Sequence, residues 1–264
     1  MLKLGGNDIM DKVLKVAKLN LKDMIKRVSI FYCIFISYLM LIMRLVDKDT
    51  VPLYGMDIFA FIFMIFCGLY TFNKKFKIAQ GNNVSRKSFV KGIVISIIPV
   101  AAFMSVFEVL INRGMNAFIK SPTTYDNMFG NFRSLRGLGN YSEWIQDNGF
   151  ITIINTILLL FMMYCIGYLA AFVLNMIYCR FNEGMRLVII VIPVIFLKVL
   201  DIFGVEQLVF VLYDINEYAK DIFNLNSKSI LPVLLCYGAL FLILYVVAHI
   251  VIRKATVQGA KSRE

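Results

Sequence analysis

The sequence predicts an all-α integral membrane protein of six transmembrane helices, with an N-terminal amphipathic interfacial helix and both termini cytoplasmic. Three observations carry that expectation. The chain is 59% hydrophobic, with a mean hydropathy of +0.74 and 17% charged residues, a balance that no water-facing domain accommodates. Its apolar residues gather in six stretches, near 28–46, 54–72, 92–111, 150–178, 187–203 and 230–252. About 20 helical residues cross a hydrocarbon core of about 30 Å, so each stretch is of spanning length. Finally, 19 of the 28 Lys/Arg residues fall in the four segments that six crossings place on one side. The opposite loops hold eight, outnumbered there by acidic residues. Positive residues concentrate in cytoplasmic loops, which puts both termini in the cytoplasm.

The elements follow in order as an arm (1–27), a six-helix domain (28–252) and a cytoplasmic tail (253–264). In the arm, Ile9, Val13, Val16/Ala17, Leu21, Met24/Ile25 and Val28 recur at three- and four-residue steps with Asp and Lys between them. Such a helix either lies along the cytoplasmic lipid surface or docks its apolar face on a partner subunit. Spans one and two form a hairpin through DKDTVPLYG, and NKKFK stops span two at the cytoplasmic surface. In the next connection Gly81, Asn82 and Asn83 read as a turn, and Ser85 as the cap of a short helix carrying Arg86, Lys87 and Lys91 into span three. Span three contains Pro99. The outer loop 112–149 holds the only Trp, Trp144; it is either locally folded or rests its aromatic residues on the headgroups, the latter slightly favoured. Span four offers Gly167, Ala170 and Ala171 for close helix contact. An interfacial helix is expected within 204–229, before span six.

Chemistry-bearing patterns are scarce. The net charge of +11 sits on the flanks of apolar spans, where orientation and anionic lipid account for it without nucleic acid. Neither a CxxC pair nor a Cys/His cluster occurs, so no metal is expected. The lone histidine, His249, lies late in span six and reads as a packed or interfacial side chain. No phosphate loop or nucleophile elbow is present, and the chain is expected to be neither an enzyme nor a cofactor protein. The candidate buried charges are Glu108, Lys198 and Asp201. Glu108 lies about 24 Å along span three, and Lys198 and Asp201 about 17 and 21 Å along span five, from the cytoplasmic ends. They either line an outward cavity or form structural ion pairs.

In layout, and in the segment GNNVSRKSFVKG (81–92), the chain resembles the membrane subunit of an ABC transporter of the ABC-2 (type V exporter) class. Many bacterial members carry a Gly, a few residues, then Ser-Arg-Lys at this place. The resemblance implies a permease that works with a separate cytoplasmic ABC ATPase, as a homodimer or beside a second related permease. It also implies that Gly81, Ser85, Arg86, Lys87 and Lys91 form the surface coupled to that ATPase, and it suggests export of a peptide antibiotic or lipid-like molecule. The chain departs from larger members in lacking a fused nucleotide-binding domain and in its long loop between spans three and four. The other readings are a non-transporting membrane protein, such as an assembly factor or sensor subunit, and an ATPase-independent secondary transporter.

Overall fold

The computed structural model describes residues 4–45, 56–130, 132, 144–179 and 230–253. Among them the protein is all-helical: α1 (Leu4–Leu45), α2 (Met56–Gly81), α3 (Arg86–Asn116), the short α4 (Thr124–Met128), α5 (Phe150–Tyr178) and α6 (Leu231–Arg253). All but α4 are long and apolar enough to cross a membrane. Side chains such as Ile34, Phe66, Leu110, Leu174 and Leu235 are exposed on their outer faces, as lipid-facing residues are. This is a multi-pass membrane protein. The predicted span 187–203, with Lys198 and Asp201, and the predicted interfacial helix of 204–229 lie outside the described residues.

Helix α1 corrects one expectation. The arm and the first span form one unbroken helix of 42 residues, about 63 Å long. Much of the arm's apolar stripe is covered by the chain itself. Val13, Val16, Ala17, Met24 and Val28 are buried within this chain, with α3 as the main neighbour of α1. That close approach depends on Gly92 of α3, where an added Cβ would lie 2.7 Å from Val16 Cβ and 2.8 Å from the Val13 carbonyl oxygen.

Helices α2 and α5 pack still more tightly. A Cβ on Gly68 would fall 2.3 Å from the Tyr168 carbonyl oxygen and 2.9 Å from Ala171 Cβ, and one on Gly167 would meet the Phe61 ring at 2.5 Å. In lipid, association is not driven by water, so close backbone approach with its dispersion contacts supplies the stability. Between these seams Phe72, Phe76, Phe89 and Phe172 form an aromatic core, with neighbouring ring centroids 4.9–6.4 Å apart. Helix α6 packs mainly on α5. Its His249 stacks edge-on against Tyr245 and hydrogen-bonds that residue's carbonyl oxygen, and so is packed against its own helix.

The described part of the loop after α3 is locally folded, which corrects the headgroup expectation for its tryptophan. Trp144 is buried, edge-to-face with Phe132. The Asn112 amide donates to the Ser121 carbonyl at 2.6 Å, and the Asn116 amide donates to Gln146 Oε1 at 2.6 Å. A reciprocal capping box between Thr123 and Asp126 starts α4.

Candidate functional site

The connection between α2 and α3 is fixed from both sides by local chemistry. Helix α2 ends in a Schellman turn: the Val84 N–H donates to the Ala79 carbonyl at 3.0 Å and the Asn83 N–H to the Gln80 carbonyl at 3.1 Å. That motif needs a left-handed residue, and Asn83 supplies it with φ 54°. Glycine therefore does not serve the turn where the sequence suggested: Gly81 is the last helical residue, with nothing within 4 Å of an added Cβ. Two residues past Asn83, Ser85 caps α3, its hydroxyl accepting from the Ser88 N–H at 3.1 Å and donating to Ser88 Oγ at 2.8 Å. Val84 and Phe89, at the positions of a hydrophobic staple, are both buried in the main core.

This geometry corrects the expectation of a separate short helix. Arg86, Lys87 and Lys91 occupy the first turns of α3 itself, which runs 31 residues without a break. All three are exposed, as are Gly81 and Ser85. Arg86 also has an internal task, donating to the main-chain carbonyl of Arg253 and so satisfying the last turn of α6. Lys87 and Lys91 lie one turn apart on the helix surface. Next to the turn, α1, α2 and α3 enclose a groove of ≈ 360 Å³ with an apolar floor that includes Val16, Ile78, Val84 and Phe89, and with Lys12 and Lys15 on its α1 wall.

Beneath the groove lies a polar network that sequence reasoning missed. Lys75 is 4% exposed, 3.2 Å from Asp23, and it donates to the side-chain Oδ1 of Asn20. The Asn20 amide in turn donates to Ser96 Oγ at 2.6 Å and to Tyr168 OH at 3.2 Å, and that hydroxyl lies 2.6 Å from Thr71 Oγ1. Four helices thus meet on one fully buried asparagine. A signal for it exists in the sequence: Lys75 interrupts a row of residues four apart, Cys67, Thr71 and Ala79, that is otherwise apolar or small and all buried.

Glu108 lies toward the other end of α3 and is 2% exposed, enclosed by helix packing rather than facing open space. The Tyr32 hydroxyl is 3.4 Å from its Oε2. Asp57, in the first turn of α2, is a further buried carboxylate, which sequence reasoning did not single out. Its Oδ2 accepts the Thr124 N–H at 2.7 Å, while Oδ1 has no hydrogen-bond partner. Among the described residues no group of three or more His, Cys, Asp or Glu side chains is disposed to hold a metal ion.

No family model, curated protein or solved structure matches the chain. Functional inference therefore rests on the geometry. The α2–α3 turn presents basic side chains on a rigid base beside an apolar groove.

Proposed function

We propose that the protein is the membrane-spanning permease subunit of an ABC transporter, moving its substrate with ATP hydrolysed by a separate cytoplasmic subunit. In this reading the chain makes six crossings of the cytoplasmic membrane with both termini inside. The α2–α3 turn is then the coupling element, and Lys87, Lys91 and the neighbouring groove are where the ATPase docks. One observation carries the proposal: a Schellman stop and a serine cap hold this turn immediately before a 31-residue helix. A push on a turn locked at both ends is transmitted to α3 as a rigid-body displacement, where a slack loop would absorb it. Two copies of the chain, or one beside a related permease, would line the pathway, and a peptide or lipid-like substrate remains the proposed class.

Affinity purification of the tagged full-length chain, from cells expressing its native partners, tests the reading. Recovery of a P-loop ATPase, reduced at least several-fold by the double charge reversal of Lys87 and Lys91 to Glu, is the expected result. Recovery without any such ATPase would overturn it.

A further inference from the structure

The groove beside the α2–α3 turn lies where a bilayer changes from hydrocarbon to headgroup. The apolar stretch of α2 ends near residue 72, and Lys75 and Ile78 lie about 4.5 and 9 Å beyond it along the helix. The polar layer on each face of a bilayer is about 5–8 Å deep. On α3 the apolar stretch begins near 92, and Val84 and Phe89, which precede it, form part of the groove. Val16 of α1 is held at the same level by its contact with Gly92. Three helices thus frame the cavity at one depth.

Its lining is divided by chemistry. Of the described residues that line it, six are apolar, three are lysines and the last is Asn82. Val16, Val84 and Phe89 are buried in the floor, whereas Leu19 and Ile78 remain 36% and 40% exposed. Burying such apolar surface under a hydrocarbon chain is favourable. Among the lysines, Lys75 is committed to Asp23 and Asn20 at the base. Lys12 and Lys15 stand three residues apart on one face of α1, and Lys15 is exposed. A lysine stem lies along apolar surface while its ammonium group reaches the polar layer.

A soluble anion would use the lysines and leave Leu19 and Ile78 uncovered. An uncharged lipid would use the floor and not the lysines. Basic pockets between membrane helices hold the headgroups of anionic lipids because such lipids satisfy both. We propose that the groove binds one anionic phospholipid, its phosphate against Lys12 and Lys15 and the upper part of an acyl chain on Leu19, Ile78 and Val84. The site is independent of the ATPase reading, since Lys87 and Lys91 are not among its described lining residues. A cytoplasmic subunit resting on the turn would meet a groove already filled by lipid.

Native mass spectrometry of the full-length protein, titrated in detergent with phosphatidylglycerol or with phosphatidylcholine of the same chains, tests the site. Phosphatidylglycerol should be retained several-fold more strongly, and Lys12→Glu combined with Lys15→Glu should remove that preference. Should the double variant not fold, Lys15→Ala is the second variant, with a smaller loss in the same direction. Lys18→Glu combined with Lys22→Glu, at exposed arm positions outside the described lining, should leave the preference intact. Ile78→Ser should weaken retention of both lipids. Equal retention of the two lipids, an unchanged preference in the groove variants, or an equal loss in the Lys18 and Lys22 pair would each overturn the proposal. Displacement of the lipid by inorganic phosphate at equal concentration would overturn it too, reducing the groove to a phosphate site. Loss of ATPase recovery in the groove variants with lipid retention unchanged would instead give the groove to the partner, and the lipid proposal would fall.

Discussion

Gly92 of α3 sits against Val16 of α1 so closely that a Cβ on the glycine would lie 2.7 Å from the valine Cβ. The contact lies about two turns from the α2–α3 connection and joins the predicted arm to the predicted third span. The residue that ends the GNNVSRKSFVKG segment is thus a packing residue, required by the neighbouring helix.

Substitution of the tight glycines is expected to separate sharply from substitution of the open ones. Gly92→Ala and Gly68→Ala overpack a helix seam and should each cost about 1–3 kcal/mol, Gly68 the more because its main-chain carbonyl obstacle is nearer, 2.3 Å against 2.8 Å. Gly81→Ala meets nothing and, as a helical residue gaining a better helix former, should be neutral or stabilising by about 0.5–1 kcal/mol. Thermal unfolding of the purified variants in detergent reads the order.

At the turn, Asn83→Gly should retain full stability, since glycine adopts the left-handed backbone freely. Asn83→Val should cost about 1–3 kcal/mol by forcing a β-branched residue into that region. Ser85→Ala should lose about 1 kcal/mol with the helix cap, and Ser85→Asp should restore it. A melting series on the four variants checks this. If the turn also couples to an ATPase, stimulated ATP hydrolysis should fall in Asn83→Val by more than its stability loss explains.

The Lys75 network gives an asymmetric forecast. Asp23 is 42% exposed and tolerates losing its partner, whereas Lys75 at 4% does not. Asp23→Asn should therefore destabilise by about 1.5–3 kcal/mol, the value of a hydrogen bond to a charged group. Lys75→Met should be milder, because removing the buried charge also removes its desolvation cost. Comparison of the two single variants with the double, by chemical denaturation, measures the coupling.

Acid should loosen the start of α5. The Thr152 hydroxyl and the Gly149 N–H both donate to Asp147, and together they hold its carboxyl below the ordinary aspartate range. A depressed carboxylate contributes stability that is present above its unfolded value and is lost as pH falls through the folded one. Hydrogen exchange at Gly149–Ile153 should accelerate as the pH drops below that range, and Asp147→Asn should abolish this pH dependence.

The long elements were legible in the sequence because hydropathy over a helix length is a local sum. The span expected at 150–178 coincides with α5, and the last span differs from α6 by one residue at each end. The α2–α3 turn was legible too, since a stop at Asn83 and a cap at Ser85 are encoded within a few residues of each other. What escaped was set by neighbours distant in the chain. Nothing near Asn20 announces that Lys75, Ser96 and Tyr168 converge on it, 55 to 148 positions away. Lys75 read as one flanking charge among several, and Asp57 was not singled out, because burial of a polar residue is decided by which helices close over it. The arm's direction was likewise hidden: amphipathic spacing identifies an apolar face but not the surface that covers it.

Helix α1 carries Val16 beside the groove and Tyr32 beside Glu108, about 24 Å apart on one continuous rod. Sliding or tilting that rod changes both places at once, so the groove and the buried carboxyl share a single mechanical degree of freedom.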